Sequence, residues 1–185
     1  MNLAAQDIAH YVYTQGMIRP FSPERHVVNG KSWGLSAASY DVRIAHDLTL
    51  GPDPGKVLAR ICRAEPDPQV AFATFHEAIE QLPESHALAH TIENFNMPWN
   101  VMGVVCDKSS YARVFVSAFN TLFDPGFRGN ATLELVNLGD TVVEIKAGDP
   151  ICQIEFRLLT QPTDRPYNGK YQDQPSRPVA AIHED

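Results

Sequence analysis

The later part of this chain is cut into strand-length pieces: HALAHTIENF, NVMGVVCD, RVFVSAF, NATLELVNL, TVVEIKA and PICQIEFRLL. Each is rich in Val, Ile, Phe or Thr, and each is bounded by Pro, Gly, Asn or Asp. β-Branched and aromatic side chains suit a pleated, half-buried surface, and the bounding residues favour turns. A chain of this texture can bury its apolar side only by pairing many short strands with one another. The expected fold class is therefore mainly β and antiparallel, a distorted barrel or a double-sheet jelly roll.

The earlier part is more varied. Leu3, Ile8, Tyr11 and Val12 stand at near-helical spacing, and Gly16 can end the turn, so one N-terminal amphipathic helix is expected. MIRPFSPERHVVNGKS reads as loop. In SYDVRIAHDLTL, Tyr40, Val42, Ile44, Leu48 and Leu50 are offset by polar neighbours, a strand period. GPDPG at 51–55 is a turn, and VAFATFHEAIEQL fits strand or helix equally. From Gln161 the chain is polar and proline-rich. There is no internal repeat, and 185 residues suit a single domain over 1–185, with 161–185 as its tail.

Charge and composition narrow the function. A formal charge of −7 opposes a broad nucleic-acid surface, although a few clustered cations could still hold a small anion. No run approaches the ~18 apolar residues of a membrane span. The start, MNLAAQDIAH, has no basic stretch leading into an apolar one, so no signal peptide is read there. Cys62, Cys106 and Cys152 are odd in number and widely spaced, which suggests reduced thiols filling a core in a cytoplasmic protein.

Two stretches carry chemistry. KSSYAR, Lys108 to Arg113, offers an ammonium, two hydroxyls, a guanidinium and backbone N–H groups, the donors that phosphate oxygens need; a solvated polar hairpin is the plain alternative. In NATLELVN the alternation puts Ala131, Leu133 and Leu135 on one face and Thr132, Glu134 and Val136 on the other. A glutamate in an apolar run needs partners, and Arg113 is the obvious one; so held, Glu134 could be poised for proton transfer. An exposed edge-strand glutamate is the commoner case. Asp41 and Asp124 could bind a sugar hydroxyl or water, or simply cap turns. His86 and His90 stand four apart, but a strand would separate them. The H-E-x-x-H and deaminase zinc signatures are absent, so no zinc is expected. Phosphate-loop, dinucleotide and nucleophile-elbow motifs are absent as well.

Taken in order, GLSAASYDVRIA, HALAHTIENFNMPWNVMGVVCDKSSYARVFV, DPGFRGNATLELVN, AGDPICQIEF and YNGKYQDQ resemble the dCTP deaminase family of the dUTPase-like superfamily. Residues 51–83 do not match well. The resemblance implies a homotrimer of dUTPase-like barrels with active sites between subunits. It implies hydrolysis of dCTP to dUTP and ammonia, feeding thymidylate synthesis, with magnesium carried only on the triphosphate. It puts the catalytic carboxylate at Glu134, oriented by Ser109 and Arg113. Lys108, Ser110, Tyr111 and Ala112 complete the phosphate-contacting motif, and Asp124 meets the sugar. Thr132 and Leu133 face the base through their backbone, and Tyr167, Lys170 and Gln174 belong to a tail that closes over the nucleotide.

A dUTPase of the same superfamily has an apolar residue where Glu134 stands and activates water with an aspartate at the position of Asp124. Carrying both residues leaves open a bifunctional enzyme that forms dUMP, and a dUTP or dCTP pyrophosphatase or a non-catalytic nucleotide binder are the other readings. The connection VFVSAFNTLF is shorter than the commonest family form and ends in Leu122 and Phe123 without a basic residue.

Overall fold

The computed structural model describes residues 1–119 and 121–183. Helix α1 (Ala5–Gln15) leads into β1 (Ile18–Arg19), β2 (Arg25–Val28), β3 (Lys31–Leu35), β4 (Ser39–Arg43) and β5 (Leu48–Leu50). Two helices follow, α2 (Pro54–Ala64) and α3 (Pro68–Ile79), then β6 (His86–Asn96) and β7 (Val101–Asp107). The short α4 (Ser109–Ala112) precedes β8 (Val116–Ala118), β9 (Leu122–Phe123), β10 (Arg128–Asn137), β11 (Val143–Ile145) and β12 (Pro150–Leu158). The strands pair antiparallel into a four-stranded sheet β1-β6-β10-β8, a six-stranded sheet β2-β3-β4-β12-β7-β9 and the small pair β11-β5. A bridge between Ile44 and Thr91 links the two larger sheets.

The core holds the side chains that the period of two points inward. Tyr40, Val42, Ile44 and Leu50 are fully buried, and Ala131, Leu133 and Leu135 almost so. Ile8 and Val12 of α1 join the same core, and Leu3 N donates to Phe156 O at 2.8 Å, tying the N-terminus to β12. Gly16 ends α1 in the left-handed region at φ 68°.

Three sequence expectations need correction. The segment read as loop contains the hairpin β2–β3, turned by Asn29 and Gly30 at φ 49° and 73°. That turn needs positive φ twice, which Asn-Gly supplies, so the signal was present as NG. Residues 53–82 form a helical pair. Asp53 accepts from Lys56 N, Asp67 accepts from Gln69 N and Val70 N, and a proline opens each helix. Only Val57 and Ala71 of this pair are buried, so its apolar period is weak. Finally, Cys62 is exposed on α2 and Cys106 is partly exposed; Cys152 alone of the three sits in the core. Among the described residues no helix is long and apolar enough to cross a membrane.

One buried ion pair joins the sheets. Glu93 on β6 is fully buried and takes the Arg43 backbone N–H at 2.8 Å and Arg43 Nε at 2.9 Å. The Arg43 guanidinium lies 3.8 Å from the Trp33 ring centre. Burial raises the Glu93 pKa against the opposing pull of Arg43. Removing one partner of such a pair strands the other charge, so Glu93→Ala should lower unfolding free energy by about 3–5 kcal/mol. Denaturant titration of the variant against the parent measures it, and an unchanged midpoint would contradict this role.

Candidate active site

Strand β10 runs along β6 with Glu134 opposite Leu88 and Thr132 opposite His90. The register shifts by a bulge between Asn130 and Thr132. Its polar groups are held from β6: Ala131 N donates to Thr91 Oγ1 at 3.0 Å, and Asn130 Nδ2 donates to Thr91 O at 2.9 Å. The alternation then presents Thr132 and Glu134 on the face away from the core, both half-buried. This matches the face assignment made from the sequence.

Glu134 is the chemically loaded residue. Its Oε2 atom is buried and has no hydrogen-bond partner among the described residues. Burial raises its pKa above the usual carboxylate range, opposed only by its own backbone N–H. The expected pairing with Arg113 is absent: Arg113 is exposed and makes no ion pair with Glu134 in this chain. The reason is topological. Arg113 lies between β7 of one sheet and β8 of the other, and although β8 pairs with β10 from Leu135 to Asn137, Arg113 does not line the cavity into which Glu134 opens.

That cavity has a volume of about 440 Å³. Glu134, Asp124 and Thr132 line it together with Tyr167 and Gln174, and apolar walls come from Leu88, Leu122, Phe123 and Phe127. Asp124 stands on the Asp124–Phe127 turn, closed by Phe127 N to Asp124 O at 3.0 Å. Among the described residues the lining contains two carboxylates and no Lys or Arg. An anionic ligand cannot be held there by this lining alone.

The tail closes one side of the cavity, stitched to β10 of its own chain. Gln174 pairs in parallel with Gly129, whose φ of 128° and missing Cβ allow the approach; a Cβ would lie 2.4 Å from Gln174 N. Arg128 grips Asp173 through two bonds of 2.9 and 3.0 Å. Gln174 Oε1 accepts from Thr132 N at 3.2 Å and from Thr132 Oγ1 at 3.1 Å. The same hydroxyl accepts from Val179 N at 3.1 Å. Lys170 Nζ donates to Ile182 O, and Ile182 N donates to Tyr171 OH at 3.2 Å. His90, buried and stacked on His46 at 5.2 Å, meets Ser176 Oγ at 3.4 Å. Burial and His46 hold its pKa below the usual histidine range. Residues 184–185 of the tail and residue 120 of the VFVSAFNTLF connection lie outside the described residues.

The sequence-derived site is thus divided. Glu134, Asp124, Thr132, Tyr167 and Gln174 meet at one cavity, beside the buried Leu133 of the same strand. Lys170 lies on the outer side of the tail, exposed. Lys108 to Arg113 lie elsewhere, and two of them correct the sequence reading. Lys108 is buried and paired with Asp41 at 2.9 Å, and Tyr111 is buried with its hydroxyl 3.2 Å from Asp149 Oδ2. Ser109, Ser110, Ala112 and Arg113 are exposed. KSSYAR is a helical turn, neither hairpin nor strand. Leu88, Tyr171, Val179 and Ala181 also line the cavity without having been singled out. Leu88 was readable as the residue in step with His90 along β6; nothing in QPSRPVAAI marks Val179 or Ala181.

Comparison with known proteins identifies the family and the fold. Residues 2–159 match the family described as dCTP deaminase-like. A dCTP deaminase of Campylobacter concisus is 34% identical over 161 residues, covering 85% of this chain and 86% of the relative. A dCTP deaminase of Helicobacter pylori is 32% identical over 163 residues, covering 86% of each. The solved 2'-deoxycytidine 5'-triphosphate deaminase of Agrobacterium tumefaciens superposes with a TM-score of 0.52 at 14% identity, over 85% of this chain and 48% of that one. At that identity the likeness bears on the fold.

Tail attachment can be checked without any chemistry. Arg165 and Arg177 each precede a proline, which leaves Lys170–Tyr171 as the bond in the tail open to trypsin. Thr132→Val removes the hydroxyl that joins Gln174 to Val179 and keeps the side-chain shape. Losing two hydrogen bonds of about 1 kcal/mol each should speed limited cleavage there roughly thirtyfold, and Thr132→Ser should restore it. Equal cleavage rates in all three proteins would contradict this attachment.

Proposed function

Because the chain belongs to the dCTP deaminase family, mainly β and dUTPase-like in fold, we propose that it hydrolyses dCTP to dUTP and ammonia with Glu134 as the proton carrier. The observation that carries the proposal is the buried, unpartnered Oε2 of Glu134 at the wall of a cavity large enough for a nucleobase. Glu134 as carboxylate takes a proton from water, and the hydroxide so formed attacks C4 of cytosine. The carboxylic acid returns that proton to N3. Glu134 then takes the proton of the new C4 hydroxyl and delivers it to the amino group, which leaves as ammonia while the C4 carbonyl forms. One group serves as base and then as acid, which suits a pKa raised towards neutrality.

The cation that this cavity lacks comes, in this reading, from a second subunit. Ser109, Ser110 and Arg113 are exposed, and the adjoining apolar side chains Val114 and Phe115 are exposed as well. Apolar surface beside unused polar groups marks an interface, and a closed ring of three subunits would bring each α4 to a neighbour's Glu134. Arg113 and Ser109 then orient the carboxylate, and Ser110 with the α4 backbone meets the phosphates. Magnesium travels on the triphosphate. Tyr167, Lys170 and Gln174 close over the nucleotide, Lys170 exchanging the Ile182 carbonyl for phosphate.

A product assay tests the reaction. With dCTP and magnesium, ammonia should form without pyrophosphate; pyrophosphate alone would make the chain a pyrophosphatase, and both together would mean that Asp124 also activates water. Glu134→Gln should abolish ammonia release while a dCTP titration still shows binding, and full activity in that variant would remove the mechanism.

The pH profile gives a second check. Glu134 must be ionised to act as base, and its pKa is raised by burial. Activity should therefore fall as pH drops through a value above the usual glutamate range, and an acid limb of kcat/KM at about pH 4 would contradict this.

A further inference from the structure

Helix α4 is four residues long, and a single turn does not hold itself together in water. Yet it carries all the exposed donors that the proposed reaction needs from KSSYAR. What fixes it is a pair of buried carboxylates, one at each end.

At the start, Lys108 Nζ meets Asp41 Oδ2 at 2.9 Å and Ser32 Oγ at 3.3 Å, and Ser32 Oγ donates to the same Asp41 oxygen at 3.2 Å. Lys108 and Asp41 are both nearly inaccessible. Within the helix, Tyr111 is buried and its hydroxyl donates to Asp149 Oδ2 at 3.2 Å. Asp149, 2% exposed, also accepts from Asn29 Nδ2 at 2.7 Å, from Lys31 Nζ at 3.2 Å and from Lys146 N at 3.3 Å. Burial would raise its pKa, but these donors outweigh burial and hold the carboxyl below the usual range. Lys31 Nζ also lies 5.2 Å from the Tyr111 ring centre.

The donors on Asp149 come from three separate places: the β2–β3 hairpin, α4 and the turn before β12. Tyr111 is the contact through which α4 joins them. Its neighbours Ser110 and Ala112 face outward, so the angle at which α4 presents Ser109 and Arg113 is set by where Asp149 holds the Tyr111 hydroxyl. We propose that Asp149 is a positioning residue for deamination, aiming α4 and its Ser109 and Arg113 through Tyr111.

This inference rests on the proposed roles of Ser109 and Arg113, and the test separates the two. Tyr111→Phe removes only the hydroxyl and keeps the buried ring. Asp149→Asn keeps one acceptor oxygen, and Asp149→Ala removes both; melting temperature and assembly are recorded for each. Misaiming by a fraction of an ångström should lower kcat for ammonia release roughly ten- to a hundredfold in Tyr111→Phe, at a temperature well below melting and with assembly intact. Asp149→Asn should lose less than Asp149→Ala. A network that only stabilised the fold would leave kcat of the folded protein unchanged. Parental kcat in Tyr111→Phe together with an inactive Arg113→Ala overturns the positioning role alone. Parental kcat in both overturns the proposed role of α4, and this inference with it.

Discussion

A carboxylate oxygen buried without a partner is the constraint from which the rest of this structure can be read. Leaving a charged or polar atom unsatisfied costs on the order of 1–3 kcal/mol, and more when it is ionised. Glu134 bears that cost on a strand whose other face fills the core with Ala131, Leu133 and Leu135. The strand cannot rotate the carboxylate into water without exposing those three side chains. The bulge at Asn130–Thr132, held by Thr91, keeps it in step with β6. Core packing is thus what keeps the acid in an unfavourable place, where its proton affinity is raised.

The second constraint is the separation of opposite charges. The cavity of Glu134 and Asp124 has no cation in its lining, and the chain places its motif cations on α4 or inside ion pairs. Lys108 and Lys31 are spent on Asp41 and Asp149, so Arg113 is the free guanidinium of the motif. Among the described residues no cation offsets the burial of Glu134, and its pKa is raised accordingly.

The sequence was legible where one physical rule governs a residue. The period of two assigned both faces of β10, because burial on a sheet alternates strictly. It also put Tyr40, Val42 and Ile44 in the core. Legibility failed where two rules compete. VAFATFHEAIEQL fitted strand or helix, yet Asp67-Pro68 opens a helix there, because proline suits a first turn as well as it breaks a later one. Lys108 and Tyr111 have side chains suited to phosphate and are used as internal clamps; only the fold shows that Asp41 and Asp149 reach them first. The Arg113–Glu134 pairing was misread within one chain because spacing says which side chains share a face and says nothing of which sheet or subunit they meet.

The tail connects these constraints to timing. Gln174 and Val179 share the hydroxyl of Thr132, two residues from Glu134 on the same face, and Val179 and Ala181 wall the cavity. With the tail docked, less water reaches the carboxylate, and its charged form is disfavoured further. With the tail open, the same group is better solvated and ionises more readily. In the proposed reaction Glu134 must first give up its proton and then take one from water. The docked tail is thus part of the burial that raises the Glu134 pKa.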